Sequence, residues 1–146
     1  VIGAGWIPVA NIAPVWATFL IWAMLMTAVM ALLRAGKADH LWLRTPIALY
    51  AGWLTAASSV ALGLILAGYG YLDAQVAAWV GITLALVIGL LVQALRPDAP
   101  AYPLAVIWAL VGVMVRNLEG PNPSVLALCA VGIALLGWRA VVNWRA

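Results

Sequence analysis

An all-α, polytopic transmembrane helical bundle of about five transmembrane helices is the fold class this sequence predicts, and three observations carry it. Of its 146 residues, 68% are apolar and only 8% are charged, and the mean hydropathy is +1.14. A soluble domain needs roughly a quarter of its residues charged to wet its surface, so the outer surface here must face lipid. Nine Trp and thirteen Gly fit the same reading, since both are common in membrane helices and at their interfaces. The third observation is a series of long apolar runs, each bounded by Pro, Gly or charge. None shows the period-two alternation of barrel strands, and an open strand would leave backbone groups unpaired in lipid. The connections are short, so sequential helices should lie antiparallel, side by side, in one domain over 1–146.

The first span is predicted over 15–33, closed by Arg34 and Gly36. At 1.5 Å per residue it crosses roughly 30 Å, the thickness of the hydrocarbon core. The second runs over 47–67, opened by Pro46 at a helix start and ended by Gly68-Tyr69-Gly70. The third covers 76–95 and stops before Arg96-Pro97. A fourth, over 103–115, ends at Arg116-Asn117 and is short enough to sit with little tilt or in a thinned layer. The fifth, over 124–142, starts at Ser124, a natural N-cap, and carries Arg139 in a position to snorkel.

Charge sets the expected orientation. Arg34, Lys37, Arg44, Arg96, Arg139 and Arg145 fall on one side of the predicted bundle and Arg116 alone on the other. The basic side should be cytoplasmic, with the N-terminus outside and the C-terminus inside. A net charge of +3 on so few ionisable groups does not imply nucleic acid, and the arginines are expected near lipid headgroups. Cys129 is alone, so no internal disulfide or cysteine-based metal cluster can form. The chain opens at Val1, and Val1–Pro14 lacks the basic n-region of a signal peptide. It is expected to be the ordered or processed part of a longer chain.

Candidate chemistry is sparse. Asp39, Asp73, Asp98, Glu119 and His40 all fall in predicted loops or at helix ends, whereas pumps and ion-coupled transporters keep an ionisable group within the bilayer. No Ser–His–Asp set or Gly-rich phosphate loop can be assembled, so no enzyme and no metal site is expected. His40 reads as a solvated loop residue, the alternative being an axial ligand to a tetrapyrrole metal. Arg116 and Glu119 are spaced for a local ion pair. Thr18, Thr27, Thr55, Ser58, Ser59, Thr83 and Gln93 are expected to bond back to their own helix or to glue helices together. Small residues repeat at spacing four: Gly81, Ala85 and Gly89; Ser59 and Gly63; Ala130 and Ala134. Such stripes let helix backbones approach closely.

The tryptophans divide by depth. Trp6, Trp16, Trp42, Trp79, Trp138 and Trp144 lie near predicted interfaces, as an aromatic belt requires. Trp22, Trp53 and Trp108 are deeper, and Trp53 and Trp108 both lie within roughly 10 Å of the cytoplasmic boundary. Tyr50 is one helical turn from Trp53 and is expected to share its face. Tyr50, Trp53 and Trp108 could form an aromatic layer that stacks on a flat ligand, or could be ordinary core.

The run Trp42-Leu43-Arg44-Thr45-Pro46-Ile47-Ala48-Leu49-Tyr50-Ala51-Gly52-Trp53-Leu54-Thr55 resembles a stretch of the tryptophan-rich sensory proteins, the TspO/MBR-like, translocator protein-related family. Val106-Ile107-Trp108-Ala109-Leu110-Val111-Gly112 resembles a second stretch of its longer bacterial members. The resemblance extends over Trp42–Val115, which would make the chain the C-terminal helices of such a member. An Asn expected late in the first stretch is replaced near Ala61. The resemblance implies an integral protein of the bacterial inner membrane with a sensory or photosynthesis-linked regulatory role. It implies a hydrophobic, tetrapyrrole-like ligand (porphyrin, haem, pigment or lipid) but no required cofactor. It places ligand contacts at Tyr50, Trp53, Thr55 and Trp108, and motif positions at Pro46 and Gly52. A second reading stays open: a non-catalytic accessory subunit of a larger photosynthetic or respiratory membrane complex, with other membrane subunits and the lipid bilayer as its partners.

Overall fold

A computed structural model describes residues 9–36, 40–120 and 122–145; Trp6 and the side chain of His40 lie outside what it describes. Among the described residues the chain is helical, with no strand. We number the long helices α1 (Pro14–Arg34), α2 (Thr45–Gly68), α3 (Ala74–Leu95), α4 (Ala101–Arg116) and α5 (Pro123–Arg145). A π-helical turn, His40–Arg44, runs directly into α2. Among the described residues four helices are long and apolar enough to cross a membrane, and α4 is a shorter apolar helix. Its 16 residues span about 24 Å, which needs a thinned layer or a nearly upright pose.

The observed ends follow local chemistry. Pro46 lies in the first turn of α2, where its missing N–H costs nothing, and the wider π turn carries the helix back past it to His40. Gly70 ends the other side of α2 at φ +74°, a left-handed position that suits glycine. There the Gly70 N–H reaches back to the Ala67 carbonyl at 3.1 Å, one of the bonds of a glycine-terminated helix end, and the Leu72 N–H reaches the Leu66 carbonyl at 3.0 Å. Asp73 caps α3 by accepting from the Gln75 N–H at 2.6 Å. The cap of α5 differs from the expected Ser124. Asn122 takes that role, its Oδ1 accepting from the Val125 N–H at 3.3 Å, while the Ser124 hydroxyl donates to the same oxygen. Pro at the first helical position moves the start back by one residue.

Helix α2 is the hub, packed against α1, α3 and α4, and α5 closes the other side against α3 and α4. Glycines set the spacing. A Cβ on Gly81 would stand 3.1 Å from the Ser59 carbonyl, and one on Gly63 3.2 Å from that of Ala77. Helices α2 and α3 thus meet along these small residues, with Ala85 and Gly89 buried further down α3. On helix α5 the stripe faces outward: Ala130 and Ala134 are exposed, and within the chain the helix packs through Val125, Cys129, Gly132 and Leu136. The reason is volume. Leu86 fills the space over Gly132, where an added Cβ would come within 2.5 Å of its side chain, so the helix turns its glycine, not its alanines, inward.

Candidate functional site

One wall of the bundle is hollow. Between α2 and α4, with Ile21 of α1 at its edge, runs a groove of about 600 Å³. Small residues make the hollow: Ala56, Ala57 and Ala61 on one side, Ala109 and Gly112 on the other. Trp53 and Trp108, from the two helices, both line it, 54% and 72% exposed. Its opposite end carries Arg116 and Asn117. There Arg116 pairs with Glu119 at 2.6 Å and Asn117 donates to the Val113 carbonyl. The site is an apolar, aromatic-edged trough with an ion pair at one mouth, able to take a flat apolar body.

The structure brings Trp53 and Trp108 together in this groove and leaves Tyr50 out of it. Tyr50 is half-exposed on the outside of α2 and does not line the groove. Three residues along a helix is about 60° short of a full turn, enough to carry Tyr50 past the rim. Thr55 lies on the other face of α2, fully buried, 2.7 Å from the Tyr102 hydroxyl of α4. Its own proton goes to the Ala51 carbonyl at 2.9 Å, so Tyr102 is the donor of the interhelical bond. Ser58 and Ser59 both donate to the Thr55 carbonyl. Thr55 is therefore a contact between helices, and Pro46 and Gly52 shape α2 without lining the groove.

This buried pair makes a test. Thr55→Val strands the Tyr102 hydroxyl and is expected to cost about 1–3 kcal/mol, whereas Thr55→Val with Tyr102→Phe removes both partners and should cost much less. Unfolding of the three variants in detergent, followed by circular dichroism, checks the non-additivity.

Two features escaped the sequence reading. At the end where α2 and α4 begin, Arg44 is only 3% exposed, turned in among the helices. It pairs with Asp98 at 2.9 Å and donates to the Gly36 carbonyl at 2.7 Å. Asp98 also binds Arg96 at 2.9 Å, and Arg96 in turn donates to the Leu32 and Leu33 carbonyls. One carboxylate thus ties together the end of α1, the start of α2 and the end of α3. The Arg96 hydrogen bonds hold the Asp98 carboxyl below its usual range, outweighing the desolvation that pushes it up. At the opposite end of the bundle, a cavity of about 420 Å³ opens over Gly63, Ala77 and Gly81. Gln75 and Asn122 exchange hydrogen bonds at its rim, and the Trp79 indole N–H donates to Ser124. Among the described residues no cluster of His, Cys, Asp and Glu is placed to hold a metal ion.

Comparison with known proteins adds one match. The model of a family described as TSPO-like protein matches residues 1–142. That range takes in essentially the whole chain, beyond the Trp42–Val115 stretch that carried the resemblance, so the likeness is not confined to later helices. No curated protein and no solved structure matches.

Proposed function

The chain belongs to the TSPO-like family, and from that premise we propose that it binds a flat, hydrophobic, tetrapyrrole-like ligand in the groove between α2 and α4, in a sensory or regulatory role without turnover. The observation that carries the reading is that Trp53 and Trp108, from two helices, line one apolar groove of about 600 Å³. Two exposed indoles in one groove offer apolar ring surface to a planar body, and burying that body removes apolar area from the lipid–water boundary. Arg116 at the far mouth is paired with the exposed Glu119 and meets a ligand carboxylate only by exchanging that weak surface pair for it. Among the described residues no His, Cys or Met lines the groove, and the reading rests on shape and stacking rather than on axial metal ligation. The basic end of the bundle, with Arg44 and Arg96, is taken as the cytoplasmic one by the positive-inside rule, in a bacterial inner membrane.

Titration of the purified protein with a porphyrin, followed in the ligand's own absorption band, tests this. Trp53→Ala and Trp108→Ala should each weaken binding roughly three- to ten-fold, the worth of one aromatic stack. Tyr50→Ala, outside the groove, should leave affinity unchanged. Equal affinity in all three variants and the parent would remove the groove as the site.

A further inference from the structure

The far mouth of the groove between α2 and α4 is electrically closed. Among the described residues Arg116 is the one ionisable side chain that lines the groove, and it is engaged with Glu119 at 2.6 Å. Both are largely exposed, so the pair itself is weak. Glu119 is nevertheless tethered three residues away, and a tethered partner competes at high effective concentration. A ligand carboxylate that displaced it would exchange one ion pair for another and leave two carboxylates beside one guanidinium. It would also give up water for an apolar groove. A negative charge on the ligand therefore gains nothing here.

What this mouth does offer is a neutral amide. Asn117 lines the groove and also the cavity of about 420 Å³ over Gly63 and Gly81. Its Nδ2 donates to the Val113 carbonyl at 2.8 Å. A carbonyl only accepts, so the nitrogen is the atom that faces Val113 and the oxygen is the free end. Among the described residues nothing donates to that oxygen, and it is not sealed inside the protein. Among the described residues the adjoining cavity has no ionisable side chain in its wall; its polar lining is Ser59, Gln75, Asn117 and Asn122. Gln75 and Asn122 are spent on each other, and Ser59 donates to the Thr55 carbonyl. Asn117 is thus the acceptor left for whatever reaches this mouth. We propose, on the premise that the groove is the ligand site, that its ligand is an uncharged flat molecule whose peripheral chains end in hydroxyl groups rather than carboxylates, one hydroxyl donating to Asn117 Oδ1. Glu119 stands where a ligand carboxylate would go and selects against acids.

Three porphyrins with one ring and different chain ends make the test: a dipropionic acid, its dimethyl ester, and the diol in which both acids are reduced to alcohols. Each is titrated into the detergent-solubilised protein and followed in its own absorption band, with protein-free micelles as the baseline. The parent should bind the diol tightest and the diacid weakest. Asn117→Leu should lower affinity for the diol relative to the ester by roughly three- to ten-fold, the worth of one hydrogen bond. Glu119→Gln frees Arg116 and should raise affinity for the diacid relative to the diol by roughly two- to five-fold, the worth of a surface ion pair. Adding Arg116→Gln to Glu119→Gln should cancel that gain. A parent that prefers the diacid, or unchanged ratios in both Asn117→Leu and Glu119→Gln, would overturn the proposal. Trp53→Ala and Trp108→Ala keep this outcome apart from the groove assignment. If they weaken all three porphyrins while the ratios stay flat, the groove stands and the selectivity falls. If they weaken none, the groove is not the site and both readings fall.

Discussion

Asp98→Ala is expected to be among the most destabilising single changes in this chain, lowering stability by about 3 kcal/mol, because it strips a buried cation of its counter-ion. Arg44 has 3% exposure and Arg96 11%, and both rest on the one carboxylate. Once it is gone, Arg44 keeps its bond to the Gly36 carbonyl but remains buried with its charge unbalanced. The direction depends on which partner leaves. Arg44→Met removes the buried charge itself and leaves Asp98 paired with Arg96, so it should cost less than Asp98→Ala. Unfolding by SDS titration of the detergent-solubilised protein, read by circular dichroism, measures both. Equal stability of Asp98→Ala and the parent would show that the ion cluster contributes nothing.

The same carboxylate gives an acid limb of known sign. Its pKa in the folded protein lies below the ordinary 3.8, so its contribution is fully present above that value and is lost as pH falls through the lower, folded one. Between pH 7 and pH 5 the cluster is indifferent to pH. Below about pH 4 the parent should lose the advantage it holds over Asp98→Ala, and the two stability curves should converge.

What could be read without coordinates was set by the bilayer. A span must be about 20 residues of apolar helix, so the long runs ending at Arg34, Gly68 and Leu95 mark their own limits, and the observed helices α1 to α3 end within a few residues of them. Side-chain partners across the bundle obey no such rule. Arg44 and Asp98 sit in separate connections and look like ordinary headgroup charges until the fold brings them together. Tyr102 reads as another aromatic at a helix start, and only its contact with Thr55 marks it as a link between α2 and α4. The groove was half legible. Trp53 and Trp108 could be grouped by depth, but depth does not give azimuth, and a difference of about 60° separates Tyr50 from the wall that Trp53 lines. Ala130 and Ala134 show the same limit: spacing four identifies a stripe but not whether it faces lipid or a neighbour.

Azimuth is also what makes Gly52 the most sensitive glycine of the bundle. It faces α4 at closest approach, where a methyl group would overlap the Tyr102 carbonyl oxygen and stand 2.8 Å from the Ala105 Cβ. Both obstacles are rigid, one backbone and one a Cβ, so neither can swing aside. Gly52→Ala must push α2 and α4 apart, disturbing the Thr55–Tyr102 bond one turn away and the groove whose walls these helices form. Overpacking of this kind typically costs about 1–3 kcal/mol, against which alanine returns at most about 1 kcal/mol of helix propensity. Gly112→Ala supplies the control, since nothing lies within 4 Å of its added Cβ and propensity alone should make it neutral or stabilising. Gly63→Ala belongs between them, because its Cβ would meet the Ala77 carbonyl at 3.2 Å and a few tenths of an ångström of give suffices. Melting the three variants side by side should rank them Gly52→Ala least stable, Gly63→Ala intermediate and Gly112→Ala most stable. A Gly52→Ala protein as stable as Gly112→Ala would mean that α2 and α4 do not approach this closely in the membrane. The groove bounded by Trp53 and Trp108 would then have a different width from the one that a flat ligand is proposed to fill.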